Sequence, residues 1–184
     1  MAIKGGCLCG AVTYEIAGEP MFSGHCACEN CQKATGGGHS SIAAYPEPQL
    51  EASGEVTSYV GKGDSGQDTI YQFCPKCGSR LFTRAAMMPG VVMVTLGSMD
   101  PSTALAPQMM IYGKRRRAWD HIDPALPVFE AMPPPAETPK HSRGGAPPRQ
   151  AAPHNRVKPD CGALEARQYR VRQRDGAPPV ENSR

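Results

Sequence analysis

Seven cysteines in three tight clusters constrain this chain more than any other feature. Cys7 and Cys9 form a C-x-C; Cys26, Cys28 and Cys31 form a C-x-C-x-x-C; Cys74 and Cys77 form a C-x-x-C followed at once by Gly78. Sulfurs this close in sequence pair poorly with one another as disulfides but converge readily on one metal ion. The clusters divide into four and three. The C-x-C and the distant C-x-x-C-Gly together can close a tetrahedral Zn(Cys)4 shell, whereas C-x-C-x-x-C leaves one corner free for water or substrate. In a strand, residues two apart share a side, so Cys7 and Cys9 would reach one ion while Leu8 faces the core. Cys74-Pro-Lys-Cys-Gly78 reads as a zinc knuckle in which the glycine permits a tight reversal. An ion shared between residues 7–9 and 74–77 would tie the first strand to the middle of the sheet, making metal binding part of folding.

Eight cysteines in 184 residues also fit a disulfide-rich secreted chain. Against that, Met1-Ala-Ile-Lys4 runs straight into Gly5-Gly-Cys7 without a signal-like apolar run, and the longest apolar stretch, Val91–Leu96, cannot span a membrane. The expectation is a cytoplasmic protein with metal-bound thiolates. Charge is uneven: 10 basic against 13 acidic side chains through residue 138, then 10 against 4 beyond it. The basic sign belongs to the tail. It implies no basic folded surface, so nucleic acid is expected as a partner only through that tail.

Short β-branched and aromatic segments with Gly/Pro punctuation predict an all-β domain. Strands are expected at Ala11–Ile16, Met21–His25, Ser40–Tyr45, Glu55–Val60, Asp68–Phe73, Ser79–Thr83 and Val91–Leu96, with one short helix at Glu29–Thr35 ended by the glycines at 36–38. No βαβ alternation, fixed-period repeat or phosphate-binding glycine loop occurs. Residues 136–184, rich in Pro, Gly and Arg, read as a disordered tail in which Cys161 is a free thiol.

The open site at Cys26, Cys28 and Cys31 suits thiol chemistry. A zinc ion there lowers the pKa of an incoming thiol, and three thiolates make it a weaker Lewis acid than one held by histidines. His39, beyond the glycine run, could instead close the site; His25 adjoins Cys26 but points away from it in extended backbone. Ordinary hydrogen-bonded roles are the expectation for both. Lys33 is the candidate for proton transfer, and Lys114-Arg-Arg-Arg117 could anchor a carboxylate or phosphate. Trp119 is expected at the core edge, and Met87-Met88 and Met109-Met110 in ordinary packing, with the lining of an apolar pocket as the alternative.

Three segments resemble the glutathione-dependent formaldehyde-activating enzyme family, which includes the centromere protein V-like proteins. They are Gly5-Gly-Cys-Leu-Cys-Gly-Ala-Val-Thr-Tyr14, Cys26-Ala-Cys-Glu-Asn-Cys-Gln-Lys-Ala-Thr-Gly36 and Phe73-Cys-Pro-Lys-Cys-Gly-Ser-Arg-Leu-Phe82. Val92–Leu96 with Gly97-Ser-Met-Asp100, then Pro107, Trp119 and Leu126-Pro-Val-Phe129, extend the resemblance over residues 3–130. It implies an Mss4-like all-β fold with two zinc ions. One is structural, on Cys7, Cys9, Cys74 and Cys77; the other is catalytic, on Cys26, Cys28 and Cys31. It also implies a carbon–sulfur lyase that joins formaldehyde to glutathione or reverses that step. The chain departs from the pattern at Ala27, where the family often has histidine, and at Gln32-Lys33, where it often has a basic pair. The rival expectation is a non-catalytic two-zinc module engaging protein or nucleic acid.

Overall fold

The computed structural model describes residues 2–100 and 105–134. The expected tail at 136–184, with Cys161, lies outside the described residues. The chain divides into two units, Met1–Arg149 and Gln150–Arg184, and all described residues fall in the first.

The elements are β1 (Ile3–Gly6), β2 (Thr13–Ile16), β3 (Phe22–Cys26), α1 (Glu29–Thr35), β4 (Ser40–Pro46), β5 (Leu50–Ser53), β6 (Thr57–Lys62), β7 (Asp68–Phe73), β8 (Arg80–Ala85), β9 (Val91–Thr95), β10 (Met99–Asp100) and β11 (Met110–Ile111). They build a four-stranded sheet, β10-β1-β2-β5, and a seven-stranded sheet, β11-β3-β4-β9-β8-β7-β6. Every named pairing is antiparallel except β11 on β3. The all-β expectation holds, and the short helix is present at Glu29–Thr35. Each expected strand is present, with ends moved by a few residues. β1, β5, β10 and β11 were not legible: Ile3-Lys-Gly-Gly6 is half glycine, Leu50-Glu-Ala-Ser53 alternates but over four residues with one large apolar side chain, and β10 and β11 are two residues each.

Strand β4 explains how one sheet supports two cores. Its side chains alternate: Ala43 and Tyr45 join a cluster with Tyr14 and Ile16 of β2, Leu81 and Phe82 of β8, and Val92 and Val94 of β9. Ile42 and Ala44 face the other way, into a cluster with Phe22, Cys26, Cys31, Met109 and Ile111. A central strand buried on both faces is near-continuously apolar, as this one is. The first cluster joins the two sheets; the second holds the three-cysteine loop against the far face of the larger sheet.

Helix α1 begins at Cys28, whose sulfur caps the first turn by accepting from the Cys31 backbone N–H at 3.4 Å, and ends where the Gly36 N–H donates to the Gln32 carbonyl at 2.9 Å. No helix among the described residues is long and apolar enough to cross a membrane.

Candidate metal centres and the adjoining cavity

Cys7 and Cys9 do not lie on a strand. They follow the end of β1 in a turn in which Gly10 N–H donates to Cys7 O at 3.1 Å. Leu8 at its tip is 83% exposed instead of facing the core, because the chain reverses there and does not continue extended. The turn still brings both sulfurs inward. Cys7 Sγ lies 3.5 Å from Cys9 Sγ, and Cys9 Sγ lies 3.8 Å from Cys74 Sγ. A tetrahedron with metal–sulfur bonds of about 2.3 Å has sulfur–sulfur edges of about 3.8 Å, so this spacing fits one shared ion. Cys77 completes the group.

The knuckle supplies charge stabilisation of its own. Gly78 (φ 71°) turns the chain, its N–H donating to Cys74 O at 2.9 Å. The Ser79 hydroxyl lies 3.2 Å from Cys77 Sγ and also accepts from the Leu8 N–H at 3.1 Å. Hydrogen bonds from the Ser79 side chain and backbone pull the Cys77 thiol down to about 5.

Cys26, Cys28 and Cys31 form the second group: Cys26 from the end of β3, Cys28 as the helix cap, Cys31 from the first turn of α1. Hydrogen bonds from the Cys26 and Cys31 thiols drive Cys28 down to about 2, and donating those bonds pushes Cys26 upward. Without an ion the three thiols thus share protons, with Cys28 the thiolate; their sulfurs all lie within 4.8 Å of one another, close enough to hold one ion together. Neither histidine belongs to this group. In the β3–β4 register Cys26 opposes Ser40 and His25 opposes Ser41, which puts His25 on the other face. There His25 Nδ1 lies 3.0 Å from Ser41 Oγ, His39 Nδ1 lies 2.8 Å from Asp120 Oδ2, and the two rings stack edge-on at 4.1 Å. Burial depresses the His25 pKa to about 4. Gly38 makes room for the pair: a Cβ there would overlap the Asp120 carboxyl group.

The three sulfurs line a cavity of ≈ 100 Å³ with Phe22, Ile42, Met93, Tyr71, Tyr112 and Arg80. Met87 and Met88 line it too, against the expectation of ordinary packing, whereas Met109 and Met110 are core. A cleft of ≈ 600 Å³ shares Asn30, Tyr71 and Arg80 with this cavity. Lys33 lines the cleft and is not among the residues lining the cysteine cavity. Burial raises the pKa of both tyrosines, keeping them protonated. Tyr112 is the one non-glycine residue at positive φ (59°) among those described, a left-handed conformation that costs an L-residue on the order of 1–2 kcal/mol.

The basic run does not present four free cations. Arg115 Nη1 donates to Asp64 Oδ1 at 2.8 Å, and Arg117 Nε donates to Gln32 Oε1 at 2.7 Å. Gln32 is therefore a tie: its Nε2 donates to Ala27 O at 2.7 Å and to Arg115 O at 2.9 Å. Nothing in the sequence signalled this beyond an uncharged residue on a helix beside the cysteines. Trp119, expected at the core edge, is 64% exposed; its neighbour Asp120 is the buried residue.

Residues 2–115 match the family described as glutathione-dependent formaldehyde-activating enzyme. No curated protein sequence matches the chain. Among solved structures, a crystal structure of a Rhodobacter sphaeroides protein is similar at 21% identity, over 56% of this chain and 91% of that one, with a TM-score of 0.44.

Proposed function

The chain belongs to the glutathione-dependent formaldehyde-activating enzyme family, and from that premise we propose that it is a zinc-dependent carbon–sulfur lyase acting on small thiol adducts, with glutathione and formaldehyde as its leading substrate pair. Cys7, Cys9, Cys74 and Cys77 would hold a structural zinc; Cys26, Cys28 and Cys31 would hold a catalytic one. The observation that carries this reading is that the three-sulfur group lines a cavity opening beside a larger cleft. Thiolate sets of this softness and spacing suit zinc, and reduced cysteines suit a reducing compartment such as the cytoplasm. Residues 3–130 would form the catalytic domain, with 136–184 an appended tail.

Zinc, when bound, supplies positive charge that lowers the pKa of a thiol brought beside it. The remaining chemistry falls to the protein. In the forward direction the thiol sulfur attacks the carbonyl carbon, a C–S bond forms, the carbonyl π electrons move to oxygen, and the proton lost by the thiol ends on that oxygen. The reverse breaks the same C–S bond and returns the carbonyl. The Tyr71 and Tyr112 phenols line the cavity and are kept protonated, so they can donate hydrogen bonds to the oxygen as its charge develops. Phe22, Ile42 and Met93 form an apolar wall that limits water around the reacting atoms. Lys33, assigned proton transfer from the sequence, stands on the cleft; there its ammonium would attract an anionic thiol on its approach.

The test is metal counting with exchange-rate measurement by NMR, using a panel of thiols and 13C-formaldehyde. The expected result is two zinc ions per chain and adduct exchange faster than the uncatalysed rate. A protein carrying both ions that accelerates no thiol–aldehyde pair would refute the lyase and leave the two-zinc binding module.

A further inference from the structure

Among the described residues, the hydrogen-bond partners of the Arg80 guanidinium are all neutral. Its Nη1 donates to Ser40 Oγ at 3.3 Å, its Nη2 donates to Thr83 Oγ1 at 2.9 Å, and its head sits 5.1 Å from the Tyr71 ring centroid. Its Nε is buried with no hydrogen-bond partner, and no carboxylate forms an ion pair with it among the described residues. Arg84 on the same strand is the contrast, with Nε on Glu47 Oε1 at 2.7 Å. A β-bulge puts Arg80 where it is. Gln72 pairs with Phe82 but Phe73 pairs with Arg80, so Leu81 is an extra residue. In an unbroken strand Arg80 would share a face with Phe82; the bulge gives it the face of Thr83 and the cysteine cavity.

Arg80 lines both the cysteine cavity and the cleft. Among the described residues, the charged ones lining the cleft are Lys33, Lys62 and Arg80, all basic, and Lys62 is already held by Asp68 at 2.6 Å. Among the described residues the carboxylate on the small cavity is that of Asp64, which is bound to Arg115. A molecule with its sulfur among the cysteines and its body in the cleft would pass the guanidinium. We propose that Arg80 is the specificity residue of this site, binding a carboxylate on the body of the thiol and so selecting carboxylate-bearing thiols over neutral ones. The planar fork suits a carboxylate better than a point charge does. This assignment rests on the thiol-adduct reading of the site. The other occupation open to Arg80 is as counter-charge to the cysteines alone, since its guanidinium also favours the Cys31 thiolate.

The experiment is calorimetric titration of the zinc-loaded full chain with 3-mercaptopropionate and 3-mercapto-1-propanol, thiols of equal chain length differing in one charge. The wild type is expected to bind the carboxylate roughly 10- to 100-fold more tightly, the range of charge-assisted hydrogen bonding. Arg80→Gln is expected to erase that preference while leaving 3-mercapto-1-propanol affinity and the count of two zinc ions unchanged. Arg80→Lys should keep part of it. Thr83→Val, which loosens the anchor without removing the charge, should also keep part of it, and carries the test if Arg80→Gln does not fold. Equal weakening toward both thiols, loss of a zinc ion in a folded Arg80→Gln, or a wild type that prefers neither thiol would overturn the assignment. The titration needs no turnover. A carboxylate preference without catalysis sinks the lyase reading alone, and catalysis without an Arg80-dependent preference sinks this inference alone.

Discussion

Gln32→Ala measures how firmly the three-cysteine loop is fastened to the segment that closes over it. The native amide makes three hydrogen bonds, to Ala27 O, Arg115 O and Arg117 Nε, at 2.7, 2.9 and 2.7 Å. These losses are unequal. Ala27 is fully buried, so its carbonyl loses a partner that water cannot replace, at a cost of ~1–3 kcal/mol. Arg115 is half-buried and Arg117 exposed, so water takes over there and little more than a net bond of ~1 kcal/mol is lost between them. Alanine recovers a few tenths through helix propensity. The balance is about 2–4 kcal/mol of destabilisation, or a fall in Tm of roughly 10 °C for a domain of this size. Differential scanning calorimetry on the zinc-loaded protein reads it directly. Gln32→Glu is the companion: it keeps an acceptor for Arg117 but sets a carboxylate oxygen against two carbonyls, so it should not rescue stability. A Gln32→Ala protein that melts within 2 °C of wild type would refute the tie (that limit being well under ~1 kcal/mol).

Three further outcomes are expected. Gly38→Ala pushes the Asp120 carboxyl off His39 and should cost ~1–3 kcal/mol, seen as an earlier thermal transition by circular dichroism. Cys28→Ser should lose turnover and one zinc ion while the fold survives, because serine remains a competent helix cap; Cys74→Ser should instead lose the cooperative transition, read by metal analysis and calorimetry together. Leu8→Ser should change stability by no more than about 0.5 kcal/mol in denaturant titration, because the side chain is exposed at a turn tip.

The metal groups were legible because cysteine spacing in sequence translates almost directly into sulfur convergence. Even there the local geometry was misread: Cys7 and Cys9 meet across a turn and not along a strand. Alternation revealed most strands, and α1 was visible between its cap and the glycine run. What the sequence did not carry was contact between distant segments. Gln32 finds Arg117 across 85 positions, and Asp120 finds His39 across 81. Arg80 was hidden for another reason. Period-two reading gives a strand residue the face of its second neighbour, and a bulge at Leu81 cancels that rule locally.

The distance along the chain between the four-sulfur group and Arg80 is very short: only Gly78 and Ser79 separate Cys77 from it. Ser79 meanwhile braces Cys77 Sγ and the Leu8 N–H and accepts through its carbonyl from the Cys74 N–H. The knuckle and the cavity wall are therefore one short piece of chain. A displacement of Cys77 would reach Arg80, three positions on, through Ser79, and a change in the four-sulfur group would be felt in the cavity without any residue of the second group being touched.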